Sequence, residues 1–499
     1  MDLPLRIDAG KISRIAWGVV LLCLPVTSFR YFPFLGKETM VQPLAFYPLA
    51  VLAVVLAWRL IKHDIRFKPN GSLALLGLFL VVALAATAWG WAYGPIPMHG
   101  QEFIGRALRA WVTLAGGMML FACAMLMNQD EDDLRFTLKW LYVGLALSIL
   151  WGAVQMVSYL TGFPERADLN EIQQSFSIRK LLVKKRAAGF AYEPSWLANQ
   201  IATIYLPWLL AALLSGYRIF KRRWMEFLLL AGTSGLLICT FSRGGILMSV
   251  MAVVIVFLLT QWGRIRTWGG WYVRPFKHSQ AANRMGGIAI RAGILLAVTA
   301  VLAGALLLLS TNKYFAKIWQ SQKDSLVEYA VDIYAGPRLA YATAGWEVFQ
   351  EQPLTGVGLG ATGLTLYDHI PDWAVTTVSE ISRQLTPNGW LYPNPKNLYI
   401  RLLAETGIAG FLIYLIYWLS ILGSVIQLLT REEALAKFVG VAGLYLWFVL
   451  IFFNFTQDSL IDPNQWLGLG MLLGMSAVVL TKKKEPAGSS SSRLIACYY

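Results

Sequence analysis

The sequence predicts an all-α polytopic membrane protein with about 12 transmembrane helices and one long, partly helical outer loop before the last three. Three observations carry this. Of the 499 residues, 57% are hydrophobic and only 14% charged, whereas soluble domains carry roughly 25% charged and 45–50% apolar residues. The mean hydropathy is +0.54. Apolar stretches near the roughly 20 residues needed to cross a bilayer recur along the chain, with basic residues gathered in alternate short loops. The net charge of +15 would otherwise suggest a nucleic-acid partner. In a polytopic chain it reflects cytoplasmic loops instead, and no nucleic acid is expected. Cys23, Cys123 and Cys239 lie in apolar stretches and Cys497 in the tail. Without CxxC or Cys/His spacing, a disulfide scaffold, a zinc site and a redox motif are all excluded.

In order, the predicted spans are 14–32, 43–61, 72–93, 105–127, 137–160, 196–217, 224–241, 245–262, 288–310, 398–427, 436–455 and 464–480. The first is kept as a span because no small-residue cleavage site follows Pro25 before Arg30. The short loops that carry most of the Lys and Arg put both termini in the cytoplasm. On this reading Arg222 and Arg274 are cytoplasmic, while Glu193 and Arg338 are outside. The chain divides into nine spans over 1–310, a long periplasmic loop with an amphipathic helix over 311–397, three spans over 398–481 and a disordered cytoplasmic tail over 482–499. Two outer segments break the charge rule. One, 161–195, carries Arg179, Lys180, Lys184, Lys185 and Arg186; the other is 311–397, far longer than an ordinary loop. A basic cluster on the outer side calls for an anion, and a phosphate-bearing lipid or polysaccharide intermediate fits better than a nucleic acid.

Four constellations could carry chemistry. In Arg186–Ser195, Pro194 is suited to the first position of a helix, which places Glu193 at the mouth of the sixth span. There Glu193 is either a helix-capping acid or, if burial outweighs the helix dipole, a base. In Thr240–Gly245, Arg243 is the only charge between Glu226 and Arg264. It is either a functional cation or an arginine snorkelling to headgroups. Pro337 starts a predicted amphipathic helix over 337–351, with Arg338 in its first turn, where free N–H groups and a cation favour a bound phosphate. The following Gly356-Val357-Gly358-Leu359-Gly360 run has no strand before it and no helix after it, so it reads as a turn. In Asn394–Gly410, Lys396 and Arg401 sit one turn apart at an outer helix end, as anchors or ligands, and Gly407 and Gly410 would allow close helix packing.

In their order, the Arg–x–x–Gly before span six, Ser242-Arg243-Gly244-Gly245, Arg338 with its helix and glycine run, and Asn397-Leu398-Tyr399…Leu403-Ala404-Glu405-Thr406-Gly407 resemble the bacterial O-antigen ligase/polymerase superfamily, over roughly residues 180–415. The resemblance implies a glycan carried on polyprenyl diphosphate, glycosyl transfer with release of the lipid diphosphate, and no cofactor, metal or nucleotide. It implies that Arg186, Arg243 and Arg338 hold the diphosphate, with Lys396 and Arg401 as further binding candidates. Preorganised arginines suit a developing diphosphate charge. Ligases of this kind place a His, regarded as the acceptor base, where this chain has Lys396. That departure favours a polymerase that joins repeat units of O-antigen, capsule or exopolysaccharide, with Glu193 as the base and His369 in reserve. An O-antigen ligase acting on lipid A–core is the alternative, and a twelve-span solute transporter the alternative of another class. The expected partners are the lipid-linked donor, the glycan acceptor and the bilayer, with a flippase and a chain-length regulator of the same pathway. The expected location is the bacterial inner membrane, with the site facing the periplasm.

Overall fold

The computed structural model describes residues 8–31, 41–65, 70–181, 186–273, 281–386 and 392–481. Lys184, Lys185, Arg274, residues 1–7 and the tail 482–499 lie outside the described residues. The fold is all-α, and each of the 12 predicted stretches falls on a helix. The first five are α1 (Ala9–Cys23), α2 (Phe46–Ile61), α3 (Gly71–Tyr93), α4 (Phe103–Leu126) and α5 (Glu131–Thr161). After the short α6 (Arg166–Phe176), the sixth stretch is α7 (Pro194–Gln200), which runs through a π-helical turn, Ile201–Tyr205, into α8 (Leu206–Ser215). Next come α9 (Trp224–Cys239), α10 (Arg243–Thr260), α11 (Trp262–Val273) and α12 (Ala281–Ser310). The long loop folds into α13 (Lys313–Gln320), α14 (Leu326–Asp332), α15 (Gly336–Glu351), α16 (Thr362–Thr365), α17 (Asp372–Thr377) and α18 (Ser379–Gln384). The chain ends in α19 (Leu398–Leu429), α20 (Ala434–Asn454) and α21 (Pro463–Thr481).

Among the described residues, nine helices are long and apolar enough to cross a membrane. Three predicted spans are shorter than expected. Helix α1 has 15 residues, α2 has 16 and α9 has 16, about 22–24 Å at 1.5 Å per residue. Helix α1 stops just before Pro25, whose ring removes the next amide donor. The centre of the bundle is α8, α20 and α21, where Trp208, Phe438, Phe453 and Leu472 are fully buried. Around it α4 packs on α21, α3 on α19, and α1 on α2 and α5.

Contacts between distant segments sort the helix ends into two sets. At one end Arg59 bonds Ser13, Arg135 bonds the Arg218 carbonyl and Gln261 bonds the Leu214 carbonyl. At the other, Ser28 meets Ser177, Tyr192 donates to Thr27 and Lys396 donates to Asp458. All seven predicted site residues lie at this second end. Much of the long loop is a packed layer there. Ala340 and Tyr341 of α15 form a small core with Ala374, Val378 and Ile381, while Ala344 and Val348 meet Ala404 of α19.

Candidate active site

The site is assembled from loop segments that buried side chains hold against helix ends. Gln155 of α5, fully buried, accepts from the amides of Ala188 and Gly189 and donates to the Gly189 carbonyl. One amide side chain thus fixes the turn between Arg186 and Glu193. Ala187 donates its N–H to the Cys239 carbonyl at the end of α9, which ties the same turn to a second helix.

Arg186 is 8% exposed, and its Nε donates to the Thr240 carbonyl at 2.7 Å. Ser242 caps α10 by accepting from the Gly245 amide, so Arg243 begins that helix. The Arg243 guanidinium donates to the carbonyl of Ile333, the residue that ends α14. Three residues on, Gly336-Pro337-Arg338 opens α15, as the predicted helix start requires. Arg338 is exposed in that first turn. Arg186 to Thr240 and Arg243 to Ile333 thus tie together the segments that carry three arginines spread over about 150 residues of sequence.

Glu193 is the residue before the Pro194 helix start, with extended backbone, but it does not cap α7 with its side chain. Its Oε2 accepts from Arg179 at 3.0 Å and its Oε1 accepts from the Ser195 hydroxyl. Arg179 also stacks over the Tyr192 ring, 4.5 Å from its centroid. The carboxylate is half-buried and held from both sides, its ion-pair partner being Arg179.

His369 stands apart from these residues. Its Nδ1 lies 2.9 Å from the Thr365 carbonyl and its Nε2 lies 2.9 Å from the Glu351 carboxylate. Both partners are acceptors, so the ring satisfies both only as the doubly protonated cation. Burial works against that cation. The bonds to Glu351 and Thr365 and the charges of Glu351 and Glu347 outweigh it and raise the pKa above the usual 6.5.

Lys396 and Arg401 belong to a second centre around the start of α19. Lys396 has left-handed backbone, φ 53°. Its N–H donates to Asp458, its ammonium bonds Glu380 of α18, and that ammonium lies over the Tyr341 ring. Arg401 is 7% exposed and Glu405 1%. Arg401 Nε donates to Glu405 at 3.0 Å, and Nη1 donates to the Asp458 carbonyl at 2.6 Å. The pair is internal to one helix, four residues apart, and Asp458 joins it to Lys396.

The glycine run, predicted as a turn, is a strap threaded past this centre. Gly356, Gly358 and Gly360 all have positive φ. The amides of Val357 and Gly358 donate to the carbonyls of Ala404 and Glu405 in α19. A Cβ on Gly360 would come within 2.7 Å of the Arg106 carbonyl of α4. Gly407 corrects the expectation of close helix packing. It is a break in α19, with φ 64° and ψ −172°, where a Cβ would meet the Leu354 carbonyl at 2.2 Å. The Ile408 amide donates instead to Pro353. Arg106 locks the far side of the strap. Its guanidinium carbon lies 3.4 Å from the centroid of the Tyr392 ring, and Tyr392 OH donates to the Gly360 carbonyl.

Residues 227–415 match the family model described as O-antigen ligase. The match supports the O-antigen ligase/polymerase superfamily for this stretch. The matched stretch contains Arg243, Arg338, His369, Lys396 and Arg401; Arg186 and Glu193 precede it, and the Arg186 and Ala187 end of their loop bonds its Thr240 and Cys239 carbonyls. Among curated proteins, none matches the chain.

Sequence reasoning missed Gln155, Arg179 as the partner of Glu193, Arg106 with Tyr392, and the Glu405–Asp458 partners of Arg401. The signal available for Gln155 and Arg106 was a polar or charged residue inside an otherwise apolar span.

Proposed function

We propose that the chain transfers a glycan from polyprenyl diphosphate to a sugar hydroxyl on a second glycan. It would act as a repeat-unit polymerase at the periplasmic face of the bacterial inner membrane. The observation that supports this most is the pair of contacts, Arg186 to Thr240 and Arg243 to Ile333, that tie together the segments carrying Arg186, Arg243 and Arg338, with Glu193 on the same loop as Arg186. Backbone carbonyls, of Thr240 and of Ile333, help to orient Arg186 and Arg243.

In the proposed step the acceptor oxygen forms a bond to the anomeric carbon while the bond from that carbon to the diphosphate breaks. The hydroxyl proton passes to Glu193, and the leaving lipid diphosphate keeps the electron pair of the broken bond on its oxygen, its charge met by the three arginines. Arg179 and Ser195 orient the carboxylate; a carboxylate has about four acceptor sites, so two such bonds leave room for a sugar hydroxyl. The cationic state that its bonds favour suits His369 poorly as a base, and Lys396 is ion-paired to Glu380.

The second reading is transfer to lipid A–core, which the same family match accommodates equally. Purified protein with lipid-linked repeat units alone should yield a ladder of longer glycans and free lipid diphosphate, unaffected by a metal chelator. Turnover only after lipid A–core is added would assign the ligase reading instead, and no turnover with either acceptor would defeat both. Cysteine labelling from the periplasm should reach position 338 and not position 222.

A further inference from the structure

At the end of the bundle opposite the arginine cluster lies a cleft of about 810 Å³ lined by Arg135, Lys139, Arg218, Lys221, Arg222 and Trp224. Helix α5 runs from this cleft to the other end. From Lys139 to Gln155 it rises about 24 Å, at roughly 1.5 Å per residue. The cleft is therefore a separate place on the molecule and plays no part in the proposed glycosyl transfer.

The loop that carries most of these cations is held by two buried or bonded side chains. Glu226, fully buried, accepts from the amides of Ile219 and Phe220. Arg135 donates to the Arg218 carbonyl and pairs with Glu131, and the Tyr217 hydroxyl donates to that same carboxylate. Tyr217 in turn stacks on Phe438 of α20, centroids 4.4 Å apart. Arg135 is thus occupied, while Lys139, Arg218, Lys221 and Arg222 are exposed and no carboxylate lines the cleft. Like charges held close on a fixed backbone repel one another, and an anion between them relieves that repulsion.

The cleft also opens onto apolar surface. From Lys139, steps of four, four and three residues reach Val143, Leu147 and Leu150, all exposed, so one face of α5 continues the cleft as an apolar stripe. On α9, which packs against α5, Trp224, Phe227 and Leu228 are exposed. A free phosphate would use the cations and leave the stripe unused, whereas a lipid uses both. Aromatic side chains at such a junction suit the headgroup level of a bilayer, and basic pockets between spans suit anionic headgroups.

We propose that this cleft binds an anionic glycerophospholipid, its phosphate among Lys139, Arg218, Lys221 and Arg222 and its acyl chains along the α5–α9 stripe. The test is native mass spectrometry of the full-length protein titrated with phosphatidylglycerol, or with phosphatidylcholine of the same chains. The triple variant R218Q/K221Q/R222Q should lose ten-fold or more in retention of phosphatidylglycerol and keep its weak retention of phosphatidylcholine. All three side chains are exposed, so its unfolding temperature should match the parent's. A control, Lys62→Gln, removes an equally exposed cation away from the cleft and should change nothing. Equal retention by triple variant and parent would overturn the proposal. So would an equal loss in the control, or displacement of the lipid by inorganic phosphate at the same concentration. If the triple variant unfolds early, Lys139→Gln, on the other wall, should still lower retention two-fold or more; unchanged retention there would overturn the proposal too.

Discussion

The two arginine centres at the same end of the bundle are held by different kinds of contact. Arg186 and Arg243 are oriented by backbone carbonyls on loops and helix ends. Arg401 is matched to Glu405 inside one helix, with both side chains almost fully buried, and its second bond goes to the loop between α20 and α21. The buried Glu405 carboxylate neutralises much of the Arg401 charge. Sequence alone grouped Arg401 with the ligand-binding arginines. On the proposed reading Arg401 holds α19 across its break at Gly407, where the strap docks, and the other arginines meet substrate.

The widest separation between the centres is expected in turnover. Glu193→Gln keeps the shape of the carboxylate but accepts no proton. It should lower polymerisation about 10²–10⁴-fold with donor binding retained. Near-normal turnover in Glu193→Gln, with loss in His369→Ala, would move the base into the long loop. Arg243→Ala should cost about 10²–10³-fold in turnover with an unchanged unfolding temperature; full activity in that variant would remove the arginine cluster from the chemistry.

Arg401→Ala should behave in the reverse way. It leaves the Glu405 carboxylate buried without its partner, a loss of about 3–5 kcal/mol, read as a lower midpoint in thermal unfolding of the detergent-solubilised protein. Replacing both members together with apolar residues of similar volume should recover most of that loss. An Arg401→Ala protein of unchanged stability that no longer binds donor would reverse the comparison. Smaller again is Gly358→Ala. It forces a side chain into φ +97° beside Phe103 and should cost about 1–3 kcal/mol in the same measurement.

The least effect belongs to the contact between His369 and Glu351. Its folded pKa lies above the unfolded 6.5, so the contact stabilises fully below about pH 6.5 and fades as pH rises through the folded value. The gap in unfolding temperature between the parent and His369→Gln should therefore be widest in mild acid and close above neutrality. A gap that widens with pH would show that the ring is buried neutral.

What the sequence determined by itself is local. Hydrophobic runs place every one of the 12 helical stretches, because a chain in hydrocarbon must satisfy its amides within each segment. Proline marked the starts of α7 and α15, where its missing N–H costs nothing. The motifs also put Arg186, Glu193, Arg243 and Arg338 on the page before any contact was known. Only the tertiary structure decided partners. Arg179 rather than Arg186 pairs with Glu193, although both lie within 14 residues of it. Glu405 pairs with Arg401 inside one helix; Gln155, 34 residues from Gly189, sets the turn that carries Arg186 and Glu193. The three glycines of the strap show the limit most plainly. Their spacing is visible in the sequence, but the need for them comes from α19 on one side and α4 on the other, whose approach within 3 Å of a would-be Cβ is fixed by the packing of distant helices.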